Sequence, residues 1–179
     1  MLPENMRPVS GDDVGNNMKW DSLVLDSELY MRTGNYSLLR NVRMQQALFV
    51  ELEGKLRISL SYYLMAFYSD LNGFDNIERL KAAIADNFSS WKSLARVDAG
   101  VVNKIAFLIR KCGLSNSDLK AICRKSFVPA SYQCHLFSVD ECCEILSLAI
   151  SGNIEEINSR IKGAENRFVN QFRRRCVEC

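Results

Sequence analysis

Arg160, Arg167 and Arg174 recur every seven residues near the end of this chain, and Arg173 and Arg175 flank the row. On a helix that interval returns to one face, with about 20° of drift per step. Lys104 and Lys111 repeat the interval upstream, with Arg110 beside them. Lys120 and Arg124 stand four apart, followed by Lys125, and an earlier group comprises Arg32, Arg40 and Arg43. Rows of guanidinium and ammonium groups so spaced suit successive phosphates of a nucleic-acid backbone. They also suit an ordinary solvated helix face, and Glu156 four residues before Arg160 makes a favourable pair there.

Other chemistry is poorly supplied. His135 is the single histidine, set in "YQCHLF" beside Cys134, and no spaced base or nucleophile accompanies it. No phosphate-binding glycine loop, dinucleotide fingerprint or H-E-x-x-H stands in the chain, nor an arginine followed four to six residues later by histidine. An enzyme is therefore not expected, and no cofactor. Cys176 and Cys179 have a zinc-like interval, and Cys134, His135, Cys142 and Cys143 could complete four ligands. The second matched pair of a structural zinc site is missing, so these read as free thiols and no metal is expected.

The net charge of +2 conceals blocks of opposite sign. Residues 1–28 carry six acidic and two basic side chains, 92–127 carry eight basic and two acidic, 128–159 carry five acidic and no basic, and 160–179 carry six basic and two acidic. One positive and one negative surface are expected from such alternation. Complementary, non-identical surfaces favour head-to-tail self-assembly, so a homo-oligomer is expected. Seven cysteines without framework spacing, and a start lacking the basic and apolar regions of a secretory signal, read as a reduced, cytoplasmic protein. No apolar run approaches the roughly 20 residues of a membrane span.

Three prolines, two of them in the first eight residues, leave little to interrupt helices, and no convincing strand pattern occurs. The chain reads as all-α, about eight helices in two packed subdomains: a flexible tail over 1–18, an N-terminal subdomain over 19–90 and a C-terminal one over 91–179. Helices are expected over about 20–32, 36–71, 76–88 and within "SSWKSLARV". Four more are expected: one from Asp98 to Gly113, one from Ser115 or Ser117 to Phe127, one from Ser138 to Gly152, and one from Asn153 onward. The long stretch over 36–71 would bury Leu38, Val42, Phe49, Leu52, Leu56, Leu60, Tyr63 and Phe67, with a bend or close contact at Gly54. Ser138 with Glu141 forms a capping box, and Gly113 suits a C′ position. The last helix would bury Ile154, Ile157, Ile161, Ala164 and Phe168. Met44, Leu48, Met65 and Phe67 exceed one buried stripe and suggest a subunit interface. Tyr62, Tyr63, Phe67 and Tyr68 fall at apolar positions, as core rather than as a base-stacking platform.

In length and helix layout, the chain resembles the RNA-silencing suppressors of closteroviruses, the beet yellows virus type. The likeness is carried by "SLLRNVRMQQALFVELEGKLRISLSYYL", "VVNKIAFLIRKCG", "SDLKAICRK" and "NRFVNQFRRR". The resemblance implies two helical halves, a head-to-tail ring, and a positive inner surface that holds RNA, as duplex or small RNA, without sequence preference. The setting would be host cytoplasm. The alternative is a helical adaptor that takes a partner helix in an apolar groove.

Overall fold

A computed structural model describes residues 11–72, 85, 95–127 and 136–177. Among them the fold is all-α, with seven helices and no strand: α1 (Gly11–Thr33), α2 (Tyr36–Leu52), α3 (Leu56–Asn72), α4 (Ala99–Lys111), α5 (Asn116–Ser126), α6 (Val139–Ile150) and α7 (Ile154–Val177). Of these, α1 begins nine residues earlier than expected and takes in residues 11–18 of the stretch expected as tail. The expected helix over 76–88 lies outside the described residues save Ala85. Of "SSWKSLARV", the described end, residues 95–97, is not helical.

The single long helix expected over 36–71 is two helices. Gly54 has φ +78°, a conformation that ends a helix at little cost only for glycine. Its N–H donates to the Glu51 carbonyl (2.9 Å), and the next N–H, of Lys55, donates to Val50 (3.0 Å). Orphan carbonyls of α2 are thereby satisfied and the chain reverses. Antiparallel pairing follows: the Ser59 hydroxyl donates to the Ala47 carbonyl (2.8 Å), and the Arg43 guanidinium lies 5.9 Å from the Tyr62 ring centre. Each half then sets its own rotation. Leu60, Tyr63 and Phe67 are fully buried on α3, whereas Leu52 of α2 is 89% exposed and Leu38 is exposed too. On the outer side, α1 lies antiparallel to α2, with the Trp20 ring centre 5.3 Å from that of Phe49 in a tilted contact and Met31 against Arg43.

Local signals fix the other starts. Asp98 caps α4 by accepting from Gly100 (2.8 Å) and Val101 (3.3 Å). Ser115 with Asp118, and Ser138 with Glu141, are capping boxes on α5 and α6, each satisfying two orphan N–H groups. Gly113 takes φ +61° after α4, as its C′ position requires.

The core is one contiguous cluster running from Ala47 and α3 through Val101, Ile105, Phe127 and Ile145 to Ile157 and Ala164. It crosses residue 90, where a subdomain boundary was expected, and α3 is its centre, packed on α2, α4 and α5. Tyr68 and Phe67 stack on Phe127 with ring centres 5.1 and 6.3 Å apart, so these aromatics and Tyr63 are core. Complete burial of an aromatic or leucine side chain contributes roughly 1.5–3 kcal/mol, which makes α3 the main source of packing energy. On α7, Ile157 and Ala164 are buried and Ile161 and Phe168 pack on the cluster, but Ile154 is exposed. No helix among the described residues is long and apolar enough to cross a membrane.

Two polar devices lock the halves together. Asp70, at the end of α3 and only 4% exposed, accepts from Arg40 of α2 and Arg96 of the segment before α4, both at 3.2 Å. Arg40 also reaches Asp98 at 2.6 Å. Asn72, fully buried, accepts from the Leu136 and Phe137 N–H groups (2.9 and 2.8 Å) and donates to the Phe137 carbonyl (2.9 Å).

The carboxylates of Asp70 and Asp98 respond to pH with opposite sign. Partial burial raises the Asp98 pKa, but the Val101 and Gly100 N–H groups and Arg40 outweigh it, so the carboxyl is held below its ordinary value. Its stabilisation is therefore present above the unfolded pKa and lost as pH falls through the lower folded one. Burial raises Asp70 more than Arg40 and Arg96 lower it, so its contribution runs the other way, greatest at acid pH and declining as pH rises. Asn is as good a cap as Asp. Asp98→Asn should therefore reduce the loss of thermal stability between about pH 5 and about pH 3, read as the change in Tm; an unchanged acid limb would contradict the assignment.

Candidate nucleic-acid interface

The fourteen expected basic residues fall into three groups. Arg40, Arg43 and Lys104 are engaged within the fold. Arg40 is 13% exposed and consumed by Asp70 and Asp98. Arg43 donates to Gln46 (3.0 Å) and faces the Tyr62 ring. Lys104 pairs with Glu51 (2.9 Å), whose other oxygen accepts from Tyr63 (2.8 Å), so it ties α4 to α2. Burial, then the hydrogen bond to Glu51, pushes the Tyr63 phenol well up, and it stays protonated at physiological pH.

The seven-residue row on α7 is largely neutralised inside the chain. Arg160 pairs with Glu144 of α6 and with Glu156 (3.0 Å), and Arg167 pairs with Glu141 of α6 at 3.7 Å. Acidic α6 and basic α7 therefore answer each other within one molecule. The charge blocks that favoured head-to-tail assembly are spent here in part, because consecutive helices joined at Gly152 pack together. Arg174 is exposed; the side chains of Arg173 and Arg175 lie outside the described residues, as do Cys134, His135, Cys179 and the side chain of Cys176.

The third group is exposed and without an ion pair among the described residues: Arg32 at the end of α1, Arg110 and Lys111 in the last turn of α4, and Lys120, Arg124 and Lys125 on α5. The sequence of α5 dictates their placement. Leu119, Ile122, Cys123 and Ser126 turn inward, which leaves Lys120, Arg124 and Lys125 outside. Lys120 and Arg124 stand one turn apart, about 6 Å along the axis. The short loop after Gly113 brings the cationic end of α4 to the start of this helix. Positive side chains in both last turns complement the helix carbonyl ends, so the folded state accommodates the charge without acidic partners.

Sequence reasoning missed Arg57. It lies in the first turn of α3, exposed, near enough to influence Asp118 on α5. Reading Gly54 as a reversal rather than a bend would have placed it beside the end of α4.

The described cysteines are free: Cys112 and Cys143 half-buried, Cys123 and Cys142 buried. Burial, then Cys143, pushes the Cys123 thiol up to about 12, and burial raises Cys142 and Cys143 as well. Protonated thiols are poor nucleophiles and poor metal ligands. No group of three or more histidine, cysteine or carboxylate side chains among the described residues could hold a metal ion.

No protein-family model matches this chain, and neither a curated protein nor a solved structure matches it.

Proposed function

We propose that this protein binds RNA through its phosphate backbone, without reading sequence, on the face formed by the end of α4 and the outer side of α5. The observation that carries the reading is that Arg110, Lys111, Lys120, Arg124 and Lys125 are all exposed and lack ion pairs among the described residues, while Arg40, Arg43, Lys104, Arg160 and Arg167 are engaged within the fold. Unpaired cations on rigid helices can release counterions when they meet phosphates, which is the main source of sequence-independent affinity. Tyr63, Phe67, Tyr68 and Phe127 are buried and α4 exposes one aromatic ring, Phe107, so the backbone would carry most of the binding. Suppression of host RNA silencing, the role implied by the sequence resemblance, is a use such binding would serve.

The test separates the two basic helices. Lys120→Ala/Arg124→Ala/Lys125→Ala should weaken binding of a short duplex RNA by at least about tenfold, on the order expected for three lost phosphate contacts. Arg160→Ala/Arg167→Ala should change it by less than about threefold, since those cations are already paired. Equal losses in fluorescence anisotropy would place the interface elsewhere.

A second reading has its own support. Met18, Leu25 and Leu29 line the outside of α1 and Leu48 and Leu52 the outside of α2, all exposed. A partner helix or a second copy could cover such a face, and for Leu48 that agrees with the expected interface, whereas Phe67 is core. Binding there would be nearly independent of salt.

A further inference from the structure

We propose that the cleft between the α2–α3 turn and the end of α4 holds the terminal phosphomonoester of an RNA strand. This rests on the reading that the α4–α5 face binds RNA and identifies which part of the strand one end of that face takes. The cleft has a volume of about 440 Å³ and opens to solvent. Lys55, Arg57 and Lys111 supply its charge, and Leu56, Ile58 and Gly54 also line it. Lys55 is paired with Glu53 at 2.9 Å, so Arg57 from one wall and Lys111 from the other are the exposed cations.

Shape and charge together favour a strand end over an internal phosphate. An internal phosphodiester carries one negative charge and is tethered on both sides, so it suits the convex face of α5. A terminal phosphate carries about −1.5 to −2 charges and offers three free oxygens. An open cleft lined by Arg57 of α3 and Lys111 of α4 offers those oxygens cations from two helices. The N-terminus of α3 and the C-terminus of α4 both face the cleft and oppose each other in sign, so the side chains decide the potential. Asp118, whose carboxyl is held low first by its hydrogen bonds from Ser115, is near enough to feel the charge of Arg57. From there Lys120 and Arg124 continue along α5, in position to follow the backbone of the same strand.

The experiment compares one RNA sequence bearing a 5′-phosphate, a 3′-phosphate or hydroxyls at both ends. Wild-type protein should bind one phosphorylated form about tenfold tighter than the hydroxyl form, the size of one charge-assisted contact; whichever form is preferred names the end. Arg57→Ala should remove most of that preference while retaining binding of the hydroxyl form, and circular dichroism should show it folded. Lys120→Ala/Arg124→Ala/Lys125→Ala should weaken all three forms and keep the preference. Equal binding of all three RNAs by the wild type, or a preference that survives undiminished in Arg57→Ala, overturns the inference and leaves backbone binding standing. Absence of binding to every form overturns both.

Discussion

Replacing Asn72 by alanine is expected to cost on the order of 3–5 kcal/mol, a large part of the 5–15 kcal/mol that holds a typical domain folded. Asn72 is completely buried at the end of α3, and its amide answers three backbone groups of the segment that leads into α6. Alanine would leave the Leu136 and Phe137 N–H groups and the Phe137 carbonyl buried and unpaired, each at about 1–3 kcal/mol, with some relief if water enters the space. Aspartate is no rescue, since it keeps the acceptor, loses the donor and buries a charge. Urea unfolding followed by circular dichroism measures the loss. A change below about 1 kcal/mol would show that residues 136 and 137 do not depend on this side chain.

Asp70→Ala ranks with it. Removal of the carboxylate leaves the Arg40 guanidinium, 13% exposed, with Asp98 alone, and breaking one partner of a buried pair typically costs about 3–5 kcal/mol. Arg96 is 63% exposed and simply returns to solvent. Because the penalty comes from a stranded charge, Arg40→Met/Asp70→Leu should cost less than the sum of its two single variants. A double variant that is additive would mean that Arg40 and Asp70 stabilise the fold independently.

Much of this fold was legible because its signals are local. Ser138 with Glu141, the cap at the start of α5, Gly113 after α4 and the inward rhythm of Ile157, Ile161, Ala164 and Phe168 depend on neighbours within a turn or two. Gly54 was visible as an interruption, but glycine weakens a bent helix and a reversed one alike, and only the packing of Ala47 on Ser59 decides between them. The candidate site was half legible. A heptad of arginines has the same pattern whether it meets phosphates or glutamates. Arg160 meets Glu144 across 16 residues, and Arg40 meets Asp98 across 58. Separations of that size have no periodicity in sequence, so the free cations of α4 and α5 could not be sorted from the engaged ones beforehand. Only Glu156 with Arg160, one turn apart, declared itself.

The salt dependence of RNA binding tests the central claim most directly. Binding of one duplex RNA would be measured across a series of monovalent salt concentrations for the wild type and for Lys120→Ala/Arg124→Ala/Lys125→Ala. If four or five phosphates are neutralised on the α4–α5 face, the logarithm of affinity should fall against the logarithm of salt with a slope near −4 for the wild type. Each removed cation should flatten it by about one, so the triple variant should show a slope near −1. A slope near zero for the wild type, or the same slope in both proteins, would contradict an RNA backbone interface on α4 and α5.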